Sequence, residues 1–201
     1  MDFRDVVRKR RMVRSFTGEP VAPDAVERIL RTGQRGPSAG FSQGVEFVVV
    51  TDEAARLALS GDDAALKERG LRPFTAQAPV LIVICVSEER YTGRYREPDK
   101  ARARGDAPGE ELWHVPYWHT DAGCAMMLVL LAAVDEGLAA GFAGIMGRDE
   151  QARIRGLLDI PDAYTAIGIV AVGHGQAETP RGSAATRPRR PSEEIVHRER
   201  W

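Results

Sequence analysis

Cysteine is scarce in this chain, and Cys85 and Cys124 are the only two. That excludes the disulfide framework that staples small secreted domains. Both lie in apolar runs and are read as buried free thiols of a reducing compartment, with one disulfide between them as the alternative. An excess of one charge is lacking too. A formal net charge of −1 offers neither nucleic acid nor an anionic membrane an electrostatic reason to bind. Long apolar runs are missing: Ala122 to Val134 is the longest, short of the roughly 20 residues that span a bilayer. Met1-Asp2-Phe3-Arg4-Asp5 has no basic start or apolar stretch of a signal peptide, and Arg200-Trp201 ends no lipidation or sorting signal. The expectation is a cytoplasmic protein without membrane or nucleic-acid partners.

Familiar catalytic signatures are also absent. The glycines between Gly137 and Gly147 have the wrong spacing for a dinucleotide fingerprint, and there is no P-loop. No Ser-His-Asp constellation stands out. His114 and His119 flank Pro116 but have no third ligand at a sensible spacing, so no metal site is predicted.

What is present is an ordinary globular composition, 43% hydrophobic and 28% charged over 201 residues, which suits a single domain spanning 1–201. Phe3, Val6, Val7 and the stem of Arg10 recur at helical spacing. A second helix starts at Pro23 and would bury Ala25, Val26, Ile29 and Leu30. Gly33 to Gly44 reads as a loop, and Val45 to Thr51 as a buried strand. Residues 52–72 read as a charged helix ending before Pro73. Pro79 to Val86 is continuously apolar, as a strand covered on both faces should be.

Residues 87–116, rich in Arg, Glu, Gly and Pro, read as an insertion or lid. Tyr117 to Leu138 is a helix apolar all round, which asks for cover on every side and so for a second subunit. A short strand Gly141–Met146, a helix Arg148–Leu158 and a last strand Thr165–Gly173 follow. A basic, Pro-containing arm over 175–201 closes the chain, with Glu193 to His197 able to pair as a short strand. The order predicts a three-layer α/β or α+β domain.

Four stretches carry chemical interest. In Arg8 to Phe16 the cations can simply complement a helix dipole or form a solvated face. Arg10, Arg11 and Arg14, partly beyond the helix, can instead converge as guanidinium forks on a phosphate. Gly36 to Gly44 needs no function as a loop, yet small residues running into a strand let backbone amides approach a flat ligand. Gly137 and Gly141 are explained by helix capping and tight packing, whereas Gly144 inside a strand suggests close approach to a ligand. Arg187 to Val196 reads as a basic tail, with disorder the bland alternative.

Taken in order, these stretches resemble the flavin nitroreductase family. Arg10-Arg11-x-Val-Arg14-x-Phe16 is similar to the family's R-R-S-V-R-x-F. Pro37-Ser38-Ala39-Gly40-x-x-Gln43 before Val45 to Val50 resembles P-S-x-x-N-x-Q-P-W-x-F-V-V-V. Arg187-x-Arg189-x-Pro191-x-Glu193-Glu194 resembles the closing K-x-R-x-P-L-E-E. The likeness spares only about 87–116.

The resemblance implies an α+β, three-layer α/β/α fold with a mixed central sheet and a C-terminal extension. It also implies an intertwined homodimer with flavin mononucleotide (FMN) between the subunits. Arg10, Arg11, Met12 and Arg14 would sit at the phosphate and ribityl end, and Arg187 and Arg189 would reach the phosphate from the tail. Pro37, Ser38, Ala39, Gly40 and Gln43 would line the cofactor from the other subunit. Gly144 and Ile145 would lie near flavin N5. Electrons would pass from NAD(P)H through N5 to a small planar or apolar acceptor such as a nitroaromatic or quinone, with no protein nucleophile. Flavin destruction to a benzimidazole is the alternative within the fold. A non-catalytic flavin or deazaflavin binder is the alternative outside enzymology.

Met12 stands where the family has serine, Phe41 where it has asparagine, and Gly44-Val45 where it has Pro-Trp. Phe41 would narrow or stack on the pocket. Trp113, Tyr117 and Trp118, at the base of the insertion, would form an aromatic lid over an acceptor, or merely anchor a long loop.

Overall fold

The computed structural model describes residues 1–61, 68, 72–100, 102, 111–177 and 187–201. The helices are α1 (Phe3–Lys9), α2 (Pro23–Gly33), α3 (Glu53–Ser60), α4 (Phe74–Gln77), α5 (Glu88–Arg94), α6 (Tyr117–Asp135) and α7 (Arg148–Leu157). The strands are β1 (Val45–Val50), β2 (Val80–Val86), β3 (Ala139–Gly144) and β4 (Thr165–Gly173).

Every residue of β2 is buried, and its side chains alternate between two cores as strand geometry requires. Val80, Ile82, Ile84 and Val86 face α2 and α6, whereas Leu81, Val83 and Cys85 face Leu59 of α3 and Ile154 of α7. The result is the expected α+β, three-layer α/β/α fold. The sheet order is β1-β2-β4-β3, and each pairing is antiparallel. The mixed sheet is therefore corrected for the described residues. A continuously apolar strand needs helices on both faces, and an antiparallel strand satisfies that need as well as a parallel one.

Other expectations shift locally. Among the described residues β1 is an edge strand bonded only to β2, and Glu46 and Val49 are exposed while Val50 alone of its residues is buried. In α1 only Val6 is buried, and Phe3 and Val7 face outward. The expected insertion begins as a helix, because Ser87 caps α5 and Tyr91 drives into the core. Residues 101 and 103–110 of that insertion, 62–67 and 69–71 of the helix expected over 52–72, and 178–186 of the arm lie outside the described residues. The strand expected at Glu193–His197 is a 3-10 turn over Ser192–Glu194, held by the Arg190–Glu194 pair at 3.1 Å. A local i,i+4 pair forms there without a sheet edge.

The long helix α6 packs on α2 and on all four strands. Its 19 residues are long and apolar enough to cross a membrane by length and composition alone, beyond what the apolar run suggested. Here it is a core helix along one face: Ala122, Ala125, Val129, Leu130 and Ala133 are buried. Met127 is exposed, and Cys124, Leu128 and Leu131 are half-buried, so the cover expected on every side is missing from this single chain. Gly137, at φ +76°, closes the helix in the left-handed conformation, as its capping role anticipates.

Candidate functional site

The basic stretch splits into two groups. Arg8 and Lys9 end α1; Arg8 pairs with Asp5 at 2.8 Å and serves the helix. Beyond the Arg10 cap the chain runs extended across the end of the sheet. The Val13 N–H donates to the Ala140 carbonyl at 2.9 Å, and Phe16 bridges Gly175. Ser15 Oγ donates to Gln176 Oε1 at 2.7 Å, and Gln176 Nε2 donates to the Phe16 carbonyl at 3.0 Å. Such close crossing requires glycine at 141, where a Cβ would collide with the Val13 carbonyl.

Pinning this stretch presents its arginines. Arg11 and Arg14 are exposed, with the Arg14 guanidinium 5.9 Å from the Phe74 ring centre. Arg10 is half-buried, and its Nη1 is a buried donor with no hydrogen-bond partner. A buried, unsatisfied guanidinium nitrogen is costly. An anionic oxygen would satisfy it, so the basic stretch fits the phosphate of FMN. Met12 is exposed and adds apolar surface but no donor. Lys9, Arg11, Val13 and Ala140 share a small cavity of about 320 Å³.

The second element is the loop after α2. The helix extends through Gly33, where a Cβ would stand 2.7 Å from Val129, so the loop begins at Gln34 and lies against α6. Ala39–Phe41 form a single 3-10 turn. Gly40 (φ +63°), Phe41 (φ +59°) and Gln43 (φ +50°) are all left-handed. Phe41 and Gln43 carry side chains in that region, which is strained for them. Ser38 supports the turn from within, its carbonyl accepting from the Phe41 N–H at 2.8 Å and its Oγ from the Gln43 N–H at 3.0 Å.

A cavity of about 620 Å³ opens along this loop. Pro37, Ser38, Phe41 and Gln43 line it together with Val45, Phe47 and Ala125, and Arg31, Arg35 and Asp121 supply charge. Asp121, Arg31 and Arg35 were not singled out from the sequence. The signal for Asp121 was available, since it is the only charged residue between Tyr117 and Val134. It is buried, and its Oδ2 accepts the Ala39 N–H at 2.8 Å. The fully buried Tyr91 ring lies beside the same carboxylate, and burial first, then Asp121, push its hydroxyl's pKa upward.

The remaining expected residues divide. Gly144 ends β3 and is exposed. The Ile145 N–H, however, donates to the Ile167 carbonyl at 3.3 Å. Strand pairing thus continues past Gly144 and occupies the Ile145 amide, so this amide is not free for a flavin near it. Arg187 and Arg189 are exposed, and among the described residues no hydrogen bond or ion pair joins them to Arg10, Arg11 or Arg14.

The packing favours the anchoring alternative for the tryptophans. Trp118 is buried in the core beside Tyr91, with ring centres 6.1 Å apart. Trp113 packs edge-on between Tyr95 (4.8 Å) and Trp118 (5.7 Å). Tyr117 is exposed, its ring centre 6.3 Å from Trp113. None of these tryptophans and tyrosines lines the large cavity, whose aromatic lining is Phe41 and Phe47. Packed against one another, the rings take apolar surface out of water.

Gly44 packs under the same cluster. A Cβ there would lie 2.5 Å from the Tyr91 ring, so the packed ring leaves no room for a side chain at this position.

Known proteins resemble this chain over most of its length. The family model described as Nitroreductase family matches residues 7–174. The NADPH-dependent oxidoreductase of Staphylococcus aureus strain MRSA252 is 26% identical over 199 residues, covering 98% of this chain and 73% of the relative. Among solved structures, the hypothetical oxidoreductase YcnD of Bacillus subtilis has a TM-score of 0.74 at 26% identity, covering 100% of this chain and 75% of that one. The FMN-dependent nitroreductase of Clostridium difficile R20291 has a TM-score of 0.69 at 21% identity over 98% of each chain, a likeness of fold.

Proposed function

Because the chain belongs to the nitroreductase family, we propose that it is an FMN-dependent enzyme that takes electrons from NADPH or NADH and delivers them to a small planar or apolar acceptor. The observation that carries this reading is the buried, unpartnered Arg10 Nη1 on a stretch pinned across β3. It is an NAD(P)H-dependent oxidoreductase by family, and FMN when bound supplies the two-electron chemistry.

The chain's own residues hold and position. Arg10 and Arg14 bind the phosphate, with Arg11 and Met12 beside them. Pro37, Ser38, Ala39, Gly40 and Gln43 give a surface of small side chains and backbone against which a flat ring can lie. Phe41 offers an apolar face to the acceptor. Gly144 leaves room at the end of β3. Arg187 and Arg189 complete the phosphate site from the arm of a second subunit, since the single chain leaves them in solvent.

A homodimer follows from α6. Met127, Leu128 and Leu131 together form an apolar stripe that the described residues leave exposed or half-buried, and a second copy would cover it. Light scattering at micromolar concentration should give the mass of two chains. Met127→Glu with Leu131→Glu should shift it towards one chain, and a wild-type protein that runs as a clean monomer would contradict the arrangement.

Steady-state assay tests the activity. Purified protein with added FMN should oxidise NADPH or NADH much faster when a quinone or nitroaromatic is present. Failure of both donors with both acceptors would overturn the enzymatic reading.

A further inference from the structure

We propose that Asp121 is a positioning residue for the site: from inside α6 it fixes the strained loop that carries Ser38 to Gln43, jointly with Arg94 and Tyr95 of the α5 region. The inference rests on the flavin reading of that loop and adds a residue outside the motifs.

Three observations converge. The loop holds three left-handed residues within four positions, two of them with side chains. Such a run persists only where the surroundings over-determine it. Phe41 is 73% exposed, so packing of its own ring does not supply that constraint. The constraint comes from two sides. From α6, the buried Asp121 carboxylate accepts the Ala39 N–H at 2.8 Å, at the first residue of the 3-10 turn. A carboxylate acceptor makes this a charge-assisted bond in a site of low solvent access, where it is stronger than a neutral one. From α5, Arg94 Nε donates to the Gly40 carbonyl at 3.1 Å, while its terminal nitrogens are held by Asp99 at 2.5 Å and Glu97 at 2.8 Å. The Tyr95 ring closes the remaining side, since a Cβ on Gly40 would stand 2.5 Å from it. Ala39 and Gly40 are thus gripped from opposite elements. Phe41 follows them and is turned out beside the cavity.

Asp121 also lines that cavity, so the group that holds the loop is continuous with the space the loop bounds. Its role is to preorganise the loop.

The test uses full-length protein freed of flavin, titrated with FMN and followed by amide hydrogen exchange. Asp121→Ala is expected to weaken FMN binding about tenfold and to speed exchange of the 38–43 amides about tenfold. Asp121→Asn should recover part of both losses, because its Oδ1 can accept the same N–H without the charge and its amide can donate to the Tyr91 hydroxyl. A residue acting only through bulk stability would move binding and melting temperature together and would give no such rescue.

Gly40→Ala reads the loop from the other side and does not depend on the Asp121 variants folding. It should weaken FMN binding about tenfold, and adding Tyr95→Ala should recover about threefold or more by removing the collision. The proposal is overturned if Asp121→Asn loses as much as Asp121→Ala. It is also overturned if Asp121→Ala leaves loop exchange unchanged, or if Gly40→Ala binds FMN like wild type. A wild-type protein that does not bind FMN would sink the flavin reading alone, because loop exchange still reports on Asp121.

Discussion

Arg10→Ala is expected to raise the dissociation constant for FMN by about 10- to 150-fold, the equivalent of one charge-assisted hydrogen bond at about 1.5–3 kcal/mol. The expectation has a second half of opposite sign. Without ligand, Arg10 Nη1 is buried and unpaired, a state that costs the fold free energy. Removing the group relieves that cost, so flavin-free Arg10→Ala should melt at or above the wild-type temperature. Arg10→Lys should recover little of the binding, because a point charge cannot reproduce the guanidinium fork. Fluorescence titration and melting curves with and without FMN check both halves. Unchanged affinity, or a flavin-free protein that melts well below wild type, would assign Arg10 to packing and not to the phosphate.

Trp118→Ala is expected to cost about 3–5 kcal/mol, as large aromatic deletions in cores do. Trp118 is 8% exposed and stands between Tyr91 and Trp113, with its neighbours committed to the same core. For a domain of this size the loss corresponds to a fall of roughly 6–20 °C in melting temperature. Calorimetry in the presence of saturating FMN separates this from an effect on binding. If Trp118→Ala melts like wild type and alters only the Michaelis constant for the acceptor, the aromatic cluster is a lid after all.

The different fates of these two residues show what sequence reading reaches. Elements dictated by local periodicity were legible. β2 reads as a strand covered on both faces and is one, and α2 begins at Pro23 and buries Ala25, Val26 and Ile29. Gly137 caps and Gly141 packs, as their positions suggest. What failed depends on neighbours distant in the chain. Nothing in Val45–Val50 announces an edge strand, because its apolar composition fits either place in a sheet. The aromatic base of the insertion looked free to turn either way until Tyr91, Trp113 and Trp118 were seen to pack on one another. The Ile145 amide looked available until β4 took it.

The site shows the same division. Arg10, Arg14 and the Ser38–Gln43 loop were named from the sequence, and the structure gives each a physical character that suits a ligand: an unsatisfied donor, an exposed guanidinium, a strained turn beside a cavity. The elements that hold the loop were not named. Asp121 is 82 residues from Ala39, and Arg94 is 54 residues from Gly40. Contacts across such separations carry no local pattern. Ser87 with Glu88 and Glu89 did carry one, a helix start, obscured by the Gly- and Arg-rich residues after it.

The account's central claim is that this chain holds FMN, and the purified protein answers it directly. The visible spectrum should show the absorption of oxidised flavin. Chromophore released by heat denaturation should chromatograph as FMN at about one per chain, with added FMN filling any remainder in a fluorescence titration. A colourless protein that leaves the fluorescence of added FMN unchanged would contradict the claim.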